Sequence, residues 1–135
     1  MASDIAHPKG KLTLRVIALD KDTNAHGDIY GGWLVSQMDL ATSSLASQLA
    51  KGRVATVSIR HLDFISPVRI GAEVSCYARV ADVGTTSIRI EVEVWTRDLY
   101  QEKLRKVAEG VFVFVAIDAS GRIRPVPRQN SDTSD

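Results

Sequence analysis

The sequence predicts an α+β fold in which an antiparallel five-stranded sheet is wrapped around one long central helix. Residues 27–50 hold the only long helical pattern, with Leu34, Met38, Ala41, Leu45 and Leu49 spaced four, three, four and four apart. That spacing forms one apolar stripe on a helix of about 3.6 residues per turn. The rest of the chain reads as strands, and these are joined by short turns, so neighbouring strands run antiparallel. A single helix must then supply the core against the sheet. Edge strands are left with amides that need partners, and dimerisation through an edge is the expected remedy.

The elements follow in order. Leu12, Leu14 and Val16 alternate with Lys11, Thr13 and Arg15 as the first strand. Residues 20–28 collect turn formers and deliver the chain to the helix, which ends in Lys51-Gly52-Arg53, a basic run with a glycine. In the next strand Ala55, Val57 and Ile59 hold one face, then the apolar phase switches to Leu62 and Phe64, which places a β-bulge near Arg60-His61. Val74, Cys76, Ala78 and Val80 start a third strand, and residues 82–85 make a tight turn. Ile88, Ile90, Val92 and Val94 face the core in the fourth, with Ser87, Arg89, Glu91 and Glu93 opposite. Residues 98–106 suit a hairpin tip, although 100–107 also fit a short helix. The uniformly apolar run 111–117 suggests a strand covered on both faces and therefore central. Residues 1–10 are expected to be a flexible leader, 11–127 one domain and 128–135 a flexible tail, with fraying from residue 124.

A length of 135 residues suffices for a core without disulfides or metal. Seventeen basic and sixteen acidic residues leave a net charge of +1, which gives no general attraction to nucleic acid or to anionic membrane. The lone cysteine, Cys76, excludes an internal disulfide, and no run approaches the roughly 18 apolar residues of a membrane span. A cytoplasmic protein is expected.

Gly31 and Gly32 fall where the helix begins, so its first amides are open to an electron-rich oxygen. Asp39 lies seven residues past Gly32, beside the apolar stripe, where a carboxylate lines a cleft. Plainer readings stand beside these: a solvated carboxylate, glycines for close packing, and Asn24 as a turn residue that bonds its own main chain. Asp28 reads as a helix cap or as a settler of the entry loop. His7, His26 and His61 share no metal-ligand spacing, so no metal is expected. No nucleophile elbow, phosphate loop or dinucleotide fingerprint is present.

At Asn24-Ala-His-Gly-Asp28-Ile-Tyr-Gly-Gly-Trp33 and Ser36-Gln-Met-Asp39 the chain resembles the YciA-type acyl-CoA thioesterases of the hotdog fold. The likeness continues through Gly52-Arg-Val-Ala-Thr-Val, Phe64-Ile-Ser-Pro67, Gly84-Thr-Thr-Ser-Ile88 and Phe114-Val-Ala-Ile-Asp118. The resemblance implies hydrolysis of an acyl-CoA thioester, with Asp39 as the catalytic carboxylate and Asn24 as its partner from the other protomer of a dimer. Gly31 and Gly32 would hold the thioester oxygen. Arg53, Thr85, Thr86 and Ser87 are carried as contacts to CoA, beside the reading of Gly84-Thr-Thr-Ser as a hairpin turn. CoA enters as part of the substrate, so no separate cofactor is implied. A homodimer is the minimal unit, and a trimer of dimers is the larger assembly expected. Where the family usually has a Gly-Gly pair after the aspartate, Leu40 here is followed by Ala41-Thr42, which narrows the space beside the acyl chain.

For Asp39 two chemistries remain open, general-base activation of water and direct attack through an anhydride. The alternative function is a hotdog domain that binds acyl-CoA without hydrolysing it. A dehydratase of the same fold needs a histidine in the helix region, and His26 precedes the helix.

Overall fold

Alternation in the sequence becomes five strands: β1 (Lys11–Ile17), β2 (Val54–Phe64), β3 (Glu73–Val83), β4 (Ser87–Arg97) and β5 (Leu104–Ala116), with helix α1 (Gly31–Ala50) between β1 and β2. The computed structural model describes residues 7–129. All pairings are antiparallel in one sheet of order β1-β3-β4-β5-β2, and α1 packs against all five strands. Ile88, Ile90, Val92 and Val94 of β4 are buried as expected, joined by Phe112 and Phe114 of β5 and by Met38 of α1. Each large apolar side chain so buried stabilises the fold by about 1.5–3 kcal/mol.

The helix begins at Gly31, so residues 27–30 stay in the entry loop. Its buried face is rotated from the expected stripe. Leu34, Met38 and Ala41 are buried, but Leu45 and Leu49 are only half-buried, and the sheet is met by Thr42, Ala46 and Ala50 instead. Small side chains there let the helix lie close to the strands. At the other end Lys51, not the glycine, takes the left-handed turn, with φ 54°. Gly52 serves proximity: a Cβ on it would stand 2.7 Å from the Arg124 guanidinium, which donates to the Ala50 carbonyl at 2.9 Å. That contact satisfies one of the helix's terminal carbonyls.

The bulge in β2 lies between Arg60 and Asp63, with His61 at φ 53°, in the place where the phase switch put it. Other register shifts fall between Thr56 and Ser58 in β2 and between Val80 and Asp82 in β3, and Val80, although in register with the buried Ala78, is exposed. The run at 111–117 belongs to a longer strand, and no helix forms at 100–107, because residues 98–101 make a turn closed by the Gln101 amide on the Asp98 carbonyl at 2.9 Å. β5 is not the middle strand either. It lies between β4 and β2, with Phe112, Phe114 and Ala116 buried while Val111, Val113 and Val115 are half-exposed on the outer face. Fraying does not begin at residue 124. The Val126 amide donates to the Thr85 carbonyl at 2.7 Å and Gln129 reaches the Leu49 carbonyl, so the chain is anchored through 129. Residues 1–6 of the expected leader and 130–135 of the expected tail lie outside the described residues.

Both edges of the sheet are open. On β2, Val57 is 55% exposed, Ile59 41% and Phe64 54%, an apolar edge that β5 covers on one side only. Cys76 is fully buried in β3, and burial pushes its thiol up to about 12. Among the described residues no helix is long and apolar enough to cross a membrane.

Candidate active site

The entry loop is stiffened by its own polar groups. The Asn24 side-chain oxygen accepts from the amides of His26 at 2.8 Å and Asp28 at 3.1 Å, and the Asn24 amide donates to the Asp28 carbonyl at 2.7 Å. Asparagine bonds its own backbone in this way in turns. These bonds use only its oxygen, so its NH2 group makes no hydrogen bond among the described residues. Asp28 enters through its main chain, not its carboxylate, and the residue that caps α1 is Tyr30, which offers no side-chain cap. The expectation that Asp28 caps the helix is therefore corrected.

With no cap, the amides of Gly31 and Gly32 have no acceptor among the described residues, while that of Trp33 donates to the Tyr30 carbonyl at 3.1 Å. Gly31 lines a cleft of about 430 Å³ between the helix entry and residues 64–68, and Gly32 follows it in the first turn of the helix. A Cβ on Gly31 would stand 3.2 Å from the Phe64 ring, and one on Gly32 would stand 3.3 Å from the Tyr30 ring. The glycines thus admit an aromatic wall on each side of a positively polarised helix end. Such a place suits an oxygen on an otherwise apolar group.

Asp39 is half-buried, about 10 Å further along the helix axis. Its Oδ1 accepts from the Thr56 hydroxyl at 2.7 Å, and among the described residues no cation pairs with it. One carboxylate oxygen is oriented and the other is left to accept a proton. Ser36 is occupied in donating to the Gly32 carbonyl at 3.1 Å. Within one chain no hydrogen bond joins Asn24 to Asp39.

Arg53, Thr85, Thr86 and Ser87 gather at the opposite end of the helix from Gly31 and Gly32. Arg53 donates to the carbonyls of Asp118 and Ala119, and the carbonyls of Thr85 and Thr86 accept from Val126 and Ala116. Their polar groups are partly committed to holding residues 116–126 in place.

Residues 26–103 match the family described as the thioesterase superfamily. The chain belongs to the thioesterase superfamily. Among relatives within it, the acyl-CoA thioester hydrolase YciA of Salmonella typhimurium is 47% identical over 125 residues, covering 90% of this chain and 94% of its own. Among solved structures, the hexameric broad specificity acyl-coenzyme A thioesterase HI0827 superposes with a TM-score of 0.87 at 45% identity, over 93% of this chain and 86% of its own. The hexameric thioesterase y2039 of Yersinia pestis gives 0.87 at 43% identity, over 91% of this chain and all of its own. The sheet around one helix is thus the hotdog fold of this superfamily.

Nothing in the sequence sets Thr56 apart. It stands in the quoted Gly52-Arg-Val-Ala-Thr-Val stretch, 17 residues from Asp39, and only the docking of α1 on β2 brings the two together.

Proposed function

We propose that this member of the superfamily hydrolyses acyl-CoA thioesters to the free acid and CoA. One observation carries the reading: free amides at the helix entry beside an apolar cleft, and a carboxylate held by a hydroxyl with no cation paired to it among the described residues. The thioester oxygen lies at the Gly31 and Gly32 amides, donors aimed at the charge that grows on it as the carbonyl carbon is attacked. A donor of this kind is worth about 3 kcal/mol in the transition state. Asp39 takes the proton from the attacking water, and the Thr56 hydroxyl holds the carboxylate in the required rotamer. Attack by Asp39 itself remains the second chemistry, and transfer of heavy oxygen from labelled water in a single turnover distinguishes them. A module that only binds its ligand has no use for a carboxylate oriented in this way.

The site is composite in this reading. Amides and carboxylate of one chain lie about 10 Å apart along the helix, whereas a reacting carbonyl needs both within about 3–3.5 Å of its own atoms or its water. The apolar β2 edge supports pairing with a second copy, which supplies Asp39 and Thr56 to the partner's helix entry, where the NH2 of Asn24 is unoccupied. The structural relatives named above are hexameric, and a trimer of such dimers is the proposed assembly. No cofactor is needed beyond the CoA of the substrate. The cytoplasm, where CoA is handled, is the proposed compartment, and Arg53, Thr85, Thr86 and Ser87 are proposed contacts to CoA.

Asp39→Asn keeps the shape of the side chain and removes its capacity to take a proton. Turnover of a panel of acyl-CoAs, followed by release of the CoA thiol, is expected to drop roughly 10²-fold or more, with an unchanged melting curve. Full turnover by the variant would remove Asp39 from the chemistry, and a wild-type protein that releases no thiol from any chain length would leave only the binding module.

A further inference from the structure

Arg124 stands where three elements meet. Its Nη2 donates to the Ala50 carbonyl at the end of α1 at 2.9 Å, and its Nε donates to the Ile117 carbonyl just past β5 at 3.0 Å. Its own amide donates to the Ala116 carbonyl at 2.9 Å. The third element is the start of β2, where Val54 pairs with Ala116 and the Arg53 carbonyl accepts from the Ile117 amide at 3.0 Å. Between α1 and β2 the chain turns through residues 51–53 alone. The half-buried guanidinium fills the space beside Gly52 that a side chain there would take, 2.7 Å from the position of a Cβ. The loop that presents Arg124 is itself stiff. One oxygen of the Asp118 carboxylate accepts from the Ser120 amide at 2.9 Å, the Ser120 hydroxyl at 2.8 Å and the Arg122 amide at 2.9 Å.

This elbow leads to the candidate catalytic pair. Among the described residues the only hydrogen bond that joins α1 to β2 is the one from the Thr56 hydroxyl to Asp39, 2.7 Å long. Thr56 lies four residues past Gly52, an arm of roughly 13 Å in extended chain. On such an arm a rotation of about 4° displaces the hydroxyl by about 1 Å, which carries an O–H···O bond out of its range. The ladder between β2 and β5 does not fix the position alone, because its register shifts between Thr56 and Ser58. A second tie at the elbow is needed, and the Arg124 guanidinium supplies it.

We infer that Arg124 is a positioning residue for the hydrolytic step. By clamping the elbow at Gly52 and the end of α1 to the end of β5, it sets how the Thr56 hydroxyl meets Asp39. The inference rests on the hydrolase reading above and adds to it a side chain at the last turn of α1, about 16 Å along the helix from Asp39. It also gives Gly52 a role in the same device: the absent side chain is the room in which the clamp sits.

Two variants release the clamp by different routes. Arg124→Gln removes the guanidinium. Gly52→Ala keeps it but puts a Cβ where its Nη2 stands, a clash that the flexible end of the arginine relieves by moving away. Each is expected to lower kcat for an acyl-CoA roughly fivefold with KM within a factor of two, the pattern of a group that serves only the chemical step. The deciding measurement is a double-mutant cycle with Thr56→Val. Because Arg124 acts through the Thr56 hydroxyl, adding either substitution to Thr56→Val is expected to leave kcat where Thr56→Val alone puts it. Losses that multiply overturn the inference, as does a lowered Tm with normal kcat in the folded fraction. Should Arg124→Gln fail to fold, Gly52→Ala carries the same cycle. A wild-type protein that releases no thiol from any acyl-CoA fails the hydrolase reading instead. Denaturant unfolding of the same proteins then decides the clamp: midpoint shifts that fall short of adding uphold it, and additive shifts overturn it.

Discussion

Thr56 illustrates what a single hydroxyl does for a carboxylate on a neighbouring element. Its bond to Asp39, 2.7 Å long, fixes which oxygen of the carboxylate is turned toward β2. Thr56→Val preserves the branched shape and deletes the donor, so kcat is expected to fall roughly tenfold while KM stays within a factor of two, and Thr56→Ser is expected to restore most of the rate. Equal loss in Thr56→Val and Thr56→Ser would mark the site as one of packing only. Asp39 and the glycines were legible in the sequence because a helix fixes neighbours seven residues apart by local geometry alone. Thr56 was not, since its partner is set by how a strand docks on a helix 17 residues away. Asp28 misled for a related reason: its spacing suited a cap, but the loop engages its backbone and leaves the cap position to Tyr30.

At the scale of elements, the helix entry is where shape and charge meet. A Cβ on Gly32 would press on the Tyr30 ring at 3.3 Å, and a valine there would crowd the two free amides as well. Gly32→Val is expected to lose roughly 10²-fold in kcat/KM, the scale of one lost oxyanion donor, with a melting temperature lowered by only a few degrees. A variant that melts early yet keeps normal turnover in its folded fraction would assign the glycine to folding alone. Element types were mostly readable, since α1 and β4 follow their 3.6 and 2.0 periods and the β2 bulge announces itself as a change of phase. Sheet order was not. Uniformly apolar residues 111–117 suggested the centre, yet β5 sits one place off it, because strand order depends on pairings between distant stretches. The rotated face of α1 has a similar origin: leucine draws the eye in a sequence, while alanine is what lets a helix approach a sheet.

For the whole molecule, the expected dimer makes a quantitative claim. Asn24→Ala and Asp39→Asn proteins, each nearly inactive, would be unfolded together and refolded in equal amounts. Random pairing yields about half mixed dimers, each with one site that carries both defects and one that carries neither, so about a quarter of wild-type activity is expected to return. Mixed dimers confirmed by native mass spectrometry yet no more active than their parents would rule out shared sites. Cys76 has a practical consequence at this scale. It is the only sulfur nucleophile of the chain, and its buried thiol, pushed up to about 12, is protonated and sealed inside β3 while the protein is folded. An aromatic disulfide dye that reports liberated CoA therefore has no background from intact enzyme. Late in a long trace, a slow rise approaching one equivalent per chain would count molecules whose sheet has opened, so the same cuvette records catalysis first and loss of the native state afterwards.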